Sequence, residues 1–160
     1  ILKIQIFNAI SNLFIHVFGK INESQSIQDE KFERNWGLIP ENEIEMVLKN
    51  SNFGIVTLNR YNITENIPGK FVTYAQNSLP VLCFANKNSS LSKIIRKYNC
   101  GEVIDIIENR KKNLDKIKFF FKNLNNDNLY KKNMKKLFEQ KFSTKLAVDQ
   151  IIKIINVKYD

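Results

Sequence analysis

The residues best suited to binding a charged ligand lie between Asn59 and Tyr74. Asn59 to Asn66 is a polar, strand-breaking stretch that carries Glu65, and Ile67-Pro68-Gly69-Lys70 follows it. Proline's fixed φ suits the start of a helix, where its missing N–H costs nothing. Gly69 has no Cβ to keep a ligand from the backbone. Lys70-Phe71-Val72-Thr73-Tyr74-Ala75-Gln76 then continues at helical spacing. A helix that starts here turns its unpaired amides and the positive end of its dipole toward the loop. That is the electrostatics of a phosphate site.

Two apolar runs of strand length flank this segment, Phe53 to Leu58 and Leu79 to Phe84. In open parallel sheets ligands bind outside the carboxyl ends of strands, where such a loop lies. Upstream, Ile1 to Asn12 reads as a helix with Ile1, Ile4, Ile6, Ile10 and Leu13 on one face. Leu13 to Phe18 reads as a strand ended by Gly19-Lys20, Ile21 to Gln28 as a polar loop, and Asp29 to Asn35 as a short helical piece. Trp36-Gly37-Leu38-Ile39 reads as a short strand, and Pro40-Glu41 opens a helix to Asn50 with Ile44, Val47 and Leu48 aligned. Downstream, Ser89 or Ser90 caps a helix bearing Leu91, Ile94, Ile95 and Tyr98. Cys100-Gly101 ends that helix, and Glu102 to Ile106 is a last strand. Strands that alternate with helices predict an α/β domain with a parallel sheet and helices on both faces. A βα core over residues 1–106 is then followed by C-terminal helices over 110–157. Their apolar stripes, including Leu146, Val148, Ile151, Ile152 and Ile155, read as core.

The chain has 160 residues, enough for one domain with a sizeable core. At 43% hydrophobic with five glycines and three prolines, the composition is that of a folded chain. No apolar run approaches the roughly 20 residues of a membrane span, and no signal peptide is visible. The first residue is Ile rather than Met and opens within an apolar periodic segment, which reads as a piece of a longer protein. The net charge of +9 reads either as a composition biased to Asn, Ile and Lys or as the mark of an anionic partner, whether nucleotide, anionic membrane face or nucleic acid. Many of the lysines within Arg110 to Lys141 are spread along helices rather than gathered into one patch, and no nucleic-acid module is recognisable. Cys83 and Cys100 have no Cys-x-x-Cys spacing and read as reduced thiols, which fits a cytoplasmic location. His16, the single histidine, has no second ligand near it in sequence and reads as a packed or solvent-tipped strand residue.

Three local motifs in this order resemble the carboxyl-terminal domain of GT-B glycosyltransferases, specifically glycosyltransferase family 4. Phe14-Ile15-His16-Val17-Phe18-Gly19 is similar to the family's second strand and its glycine. Trp36-Gly37-Leu38-Ile39-Pro40, the helix after it and Ser51 to Val56 are similar to the passage that follows. Asn66-Ile67-Pro68-Gly69-Lys70-Phe71-Val72-Thr73-Tyr74 with Leu79-Pro80-Val81-Leu82 resembles a subgroup signature and is the most specific of the three. The resemblance runs from about Leu13 to Ile106. It implies one half of a GT-B fold, a Rossmann-like three-layer domain that binds a nucleotide-sugar donor for sugar transfer with retention. Bacterial surface glycan synthesis is the implied setting.

Carried over, the resemblance puts the donor diphosphate at the helix start, with Asn66, Ile67, Gly69 and Lys70 around it. Gly19 and Lys20 would line the cleft, and the loop at Leu38 would approach the nucleobase. The family's paired glutamates stand eight positions apart. Glu65 falls on the first, which contacts the donor hexose, and Thr73 replaces the second, which holds the ribose. The chemistry implied is electrostatic stabilisation of the leaving phosphate. It needs no metal and no cofactor beyond the donor itself. The acceptor-binding domain and the first donor-domain strand are expected outside this stretch, which by itself is expected to be inactive. Two other readings stand beside this one: a non-catalytic Rossmann-like binding module, and a basic surface module for anionic lipid or nucleic acid. Peripheral contact with an anionic membrane, at the inner membrane face, goes with the donor-binding reading. A glycine-rich dinucleotide fingerprint and a receiver-type acidic cluster are both absent from the sequence.

Overall fold

A computed structural model describes residues 13–17, 33–59, 61, 63, 65–105, 107–126 and 128–157. The chain divides into two compact units, Ile1–Asn50 and Ser51–Asp160. The expectations for Ile1 to Asn12, for Gly19-Lys20 and for the loop Ile21 to Gln28 lie outside the described residues.

In the first unit, β1 (Ile15–Val17) pairs in parallel with β2 (Glu33–Asn35), with His16 opposite Arg34. Helix α1 (Glu41–Lys49) follows, with Glu41 and Glu43 in its first turn, where negative charge suits the dipole. Two expectations are corrected here. Glu33 to Asn35 is strand rather than part of a short helix, and Trp36 to Ile39 lies outside the strand. Trp36 still donates its amide to the Val17 carbonyl at 2.9 Å. Gly37 then takes a left-handed φ of 65°, which no ladder accommodates. The polar run Glu33-Arg34-Asn35 has no apolar alternation by which a strand is recognised.

The second unit runs β3 (Gly54–Thr57), α2 (Gly69–Gln76), β4 (Val81–Phe84), α3 (Ser90–Tyr98), β5 (Gly101–Ile104), α4 (Arg110–Asn126), α5 (Leu129–Lys141) and α6 (Thr144–Val157). The three strands form a parallel sheet in the order β3-β4-β5, with Val56, Cys83 and Val103 in register. This parallel α/β layout is compatible with a Rossmann-like fold.

Pleat alternation assigns the faces. Val56, Val81, Cys83 and Val103 meet Phe71 and Ala75 of α2, Leu91 and Ile95 of α3, and Met134 and Leu137 of α5 in one buried cluster. Each Val, Leu, Ile, Phe or Met among them contributes about 1.5–3 kcal/mol of transfer free energy. Leu82 and Ile104 turn to the opposite face and are also buried. Helix α4 crosses that face. It runs along β5 and brings Phe120 and Phe121 edge-on to Phe53, with centroids 5.6 and 5.3 Å away. The sheet thus lies between two helical layers.

Two glycines are required by close approach. At Gly54 a Cβ would sit 2.6 Å from the Tyr74 ring, and at Gly101 it would overlap the Val81 carbonyl. The second corrects the reading of Cys100-Gly101 as the stop of α3. Gly101 opens β5, and Asn99 ends the helix at φ 47°, a left-handed cap that asparagine tolerates. Cys83 and Cys100 are free and buried, and burial pushes both thiols up to about 12. They are therefore neutral and shielded.

The apolar stripe of α6 is not core. Val148, Ile151, Ile152 and Ile155 are 47–56% exposed, and Leu146 alone on that stripe is half-buried. Helical periodicity shows that a face is apolar but not what the face meets. Among the described residues no helix is long and apolar enough to cross a membrane.

Candidate functional site

In a parallel sheet every strand ends at the same edge. The turns from β3 to α2, from β4 to α3 and from β5 to α4 therefore share one rim of the second unit. They are built differently. After β4, the Ser89 hydroxyl caps α3 by accepting the Ser92 amide at 3.2 Å, and it donates to the Ser92 hydroxyl at 2.9 Å. The Ser92 hydroxyl in turn donates to the Asn86 carbonyl at 2.8 Å. Asp105, only 3% exposed at the end of β5, accepts the Lys87 amide and the Ile107 amide, each at 3.0 Å. Arg96 donates to the Lys87 carbonyl, and the Asn113 side-chain amide donates to the Asp105 carbonyl at 2.8 Å. Lys116 reaches Glu108 at 2.6 Å and holds its carboxyl below the usual range. The β4 and β5 turns are thus cross-tied.

The turn before α2 is open. Pro68 is its N-cap residue, with extended ψ of 138°, and no side chain caps the helix. Proline therefore lies one position ahead of the helix, which begins at Gly69. The Pro68 carbonyl accepts the Phe71 amide at 2.9 Å, which satisfies the third amide of the turn. Among the described residues nothing accepts from the Gly69 or Lys70 amide, and both residues are exposed. A Cβ on Gly69 would meet nothing within 4 Å, so glycine here serves neither packing nor backbone strain. Ile67 is half-buried against the core cluster and fixes how the loop enters the helix.

Glu65 and Asn66 are exposed in the loop ahead of these amides. Thr73 is half-buried one turn into α2, and its hydroxyl donates to the Gly69 carbonyl at 3.2 Å. Its proton is thereby engaged, so Thr73 faces any ligand hydroxyl as an acceptor. Glu65, Asn66, Ile67, Gly69, Lys70 and Thr73 thus share one loop and helix start. Leu38 is 72% exposed and belongs to the first unit, whereas Gly19 and Lys20 lie outside the described residues. No family model, curated protein or solved structure matches this chain.

Sequence reasoning missed two features. One is the Asp105 clamp, whose signal was a lone acid inside Val103-Ile104-Asp105-Ile106-Ile107, because a buried carboxylate must find donors. The other is a side-chain group on one face of the β1–β2 ribbon. Trp36 Nε1 donates to His16 Nδ1 at 2.9 Å, Phe14 lies 4.9 Å from His16, and the Arg34 guanidinium sits 4.0 Å over the Trp36 ring. With Nδ1 accepting, neutral His16 carries its proton on Nε2.

Proposed function

We propose that this chain is the donor-binding part of a GT-B glycosyltransferase of family 4, which takes a nucleoside diphosphate sugar and transfers the sugar with retention. One observation carries the reading. The Asn66–Tyr74 motif stands between two parallel strands, with an uncapped, exposed helix start at Gly69 and Lys70. Two amides without an acceptor among the described residues, and the positive end of a helix, favour a diphosphate. Lys70 adds a mobile positive charge. Glu65 lies in the loop where the donor sugar would extend, and Thr73 offers an acceptor to a ribose hydroxyl. The protein's contribution to catalysis is then to neutralise the leaving diphosphate while the sugar gains positive character. Gly19, Lys20 and Leu38 belong to the same reading as cleft and nucleobase residues. The acceptor would be a polysaccharide or a lipid-linked acceptor, bound by a second domain in the family's arrangement.

The test is a titration of the isotopically labelled chain with nucleoside diphosphates, followed by amide NMR. Saturable shifts centred on Gly69 and Lys70 are expected with at least one base. If no nucleoside diphosphate perturbs residues 65–73, the reading is lost.

A further inference from the structure

We propose that α6 and the lysines of α5 form a docking face for an anionic lipid surface. The observation is an apolar helical face left open. At 100° per residue, Ile154, Ala147, Ile151, Ile155, Val148 and Ile152 fall within an arc of roughly 160°. The five branched residues among them are 47–62% exposed, too many and too contiguous for scattered surface apolars. The opposite arc carries Lys145, Asp149, Gln150 and Lys153 together with the half-buried Leu146.

The charge next to this face selects the occupant. Helix α5 buries Tyr130, Met134 and Leu137 and exposes Lys131, Lys132, Lys135 and Lys136 along its outer side. Only Phe142 and Ser143 separate α5 from α6, and the two helices touch. The chain's net charge is +9. An amphipathic helix beside a row of cations matches an anionic bilayer, where the isoleucines enter the headgroup boundary and the lysines meet phosphate. Nucleic acid would use the lysines and leave the isoleucines in water. A second copy of this chain would bring five isoleucine and valine side chains onto an equally basic partner. The inference does not depend on the sugar-donor reading, since vesicle binding and nucleotide binding are measured separately.

The experiment is co-sedimentation of the full chain with vesicles of phosphatidylglycerol and of phosphatidylcholine. Binding to phosphatidylglycerol alone is expected, weakened by about 0.5 M salt, which shortens the screening length to a few ångströms. Ile151→Asp with Ile155→Asp, and separately Lys135→Glu with Lys136→Glu, are each expected to lower binding at least about tenfold. Ile151→Leu with Ile155→Leu is expected to retain it. Circular dichroism and a urea midpoint establish that each variant is folded, as the exposure of these positions implies. The proposal is overturned if the chain ignores phosphatidylglycerol, or if the aspartate pair binds as well as the parent chain. It is also overturned if the chain is a dimer that the aspartate pair dissociates, because the face then belongs to a second copy.

Discussion

Helices α2 and α3 begin at the same rim of one parallel sheet, yet their first turns are finished in opposite ways. In front of α3 the chain places its own hydroxyl, from Ser89, and locks the turn to Asp105 through the Lys87 amide. In front of α2 it places Pro68, which has no hydroxyl or carboxyl to offer, and leaves Gly69 and Lys70 exposed. A capping side chain is worth about 1 kcal/mol, so the α2 start forgoes local stability that its neighbour has. Both helices carry the same dipole, and the difference lies in what already occupies the positive end. A positive helix end is therefore too common to mark a site, whereas one left vacant beside a filled one is informative.

The contrast can be tested hardest at the closed side. Asp105→Ala removes a buried carboxylate that accepts two amides and leaves those donors unpaired. A loss of about 3 kcal/mol is expected from urea unfolding, given roughly 1.5 kcal/mol or more per hydrogen bond to a charged acceptor. A loss below about 1 kcal/mol would mean that the turns at β4 and β5 are not held by this side chain. Next comes the open side. Gly69→Ala adds a methyl that meets nothing in the protein, and glycine's excess freedom in the unfolded chain is removed. Stability should rise by up to about 1 kcal/mol. Since Cβ atoms tilt toward a helix's N-terminus, the methyl projects where the anion would sit, and nucleoside diphosphate affinity should fall about tenfold, or about 1.4 kcal/mol. If stability rises and affinity does not move, the vacant end is not the binding end.

The legible parts of this molecule are those in which burial, propensity and punctuation coincide. Phe53–Leu58 and Leu79–Phe84 announce β3 and β4 because buried parallel strands read as continuous apolar runs between breakers. A serine cap at Ser89 or Ser90 was legible, because serine before an apolar periodic segment has a local partner, and Ser89 is the one that caps. Strand β2 was hidden by its charges, since a three-residue strand shows its character only through its partner β1. The fate of α6 was hidden for another reason. Its periodicity is the same whether Ile151 and Ile155 are covered or open. At the candidate site, the positions of Gly69 and Lys70 were legible, but the state of Thr73 was not. Its hydroxyl turns back to the Gly69 carbonyl, a bond made only once the helix exists.

Ser89→Ala measures the difference between the two helix starts directly. It removes the cap that α2 lacks, so α3 becomes like α2 in its first turn. The expected loss is about 1 kcal/mol by urea unfolding. It should leave the Gly69 and Lys70 shifts in a nucleoside diphosphate titration unchanged. New shifts at Ser90 and Leu91 upon nucleotide addition would show that vacancy alone recruits the anion, which would remove the special standing of the α2 start.

Lys70→Gln carries the smallest expected effect and separates backbone from side chain. Lys70 is exposed, so its ammonium meets a bound phosphate through water-weakened attraction, worth roughly 0.2–1 kcal/mol. Nucleoside diphosphate affinity should fall only about twofold to fivefold, and stability should not change measurably. The amides of Gly69 and Lys70 survive the substitution, so their shifts on titration should persist at higher ligand concentration. Salt discriminates further. The part of the affinity that salt removes should shrink in Lys70→Gln, because the side chain is the screened component. Complete loss of binding would reverse the assignment. The lysine would then be the site, and the open helix end beside it would be incidental.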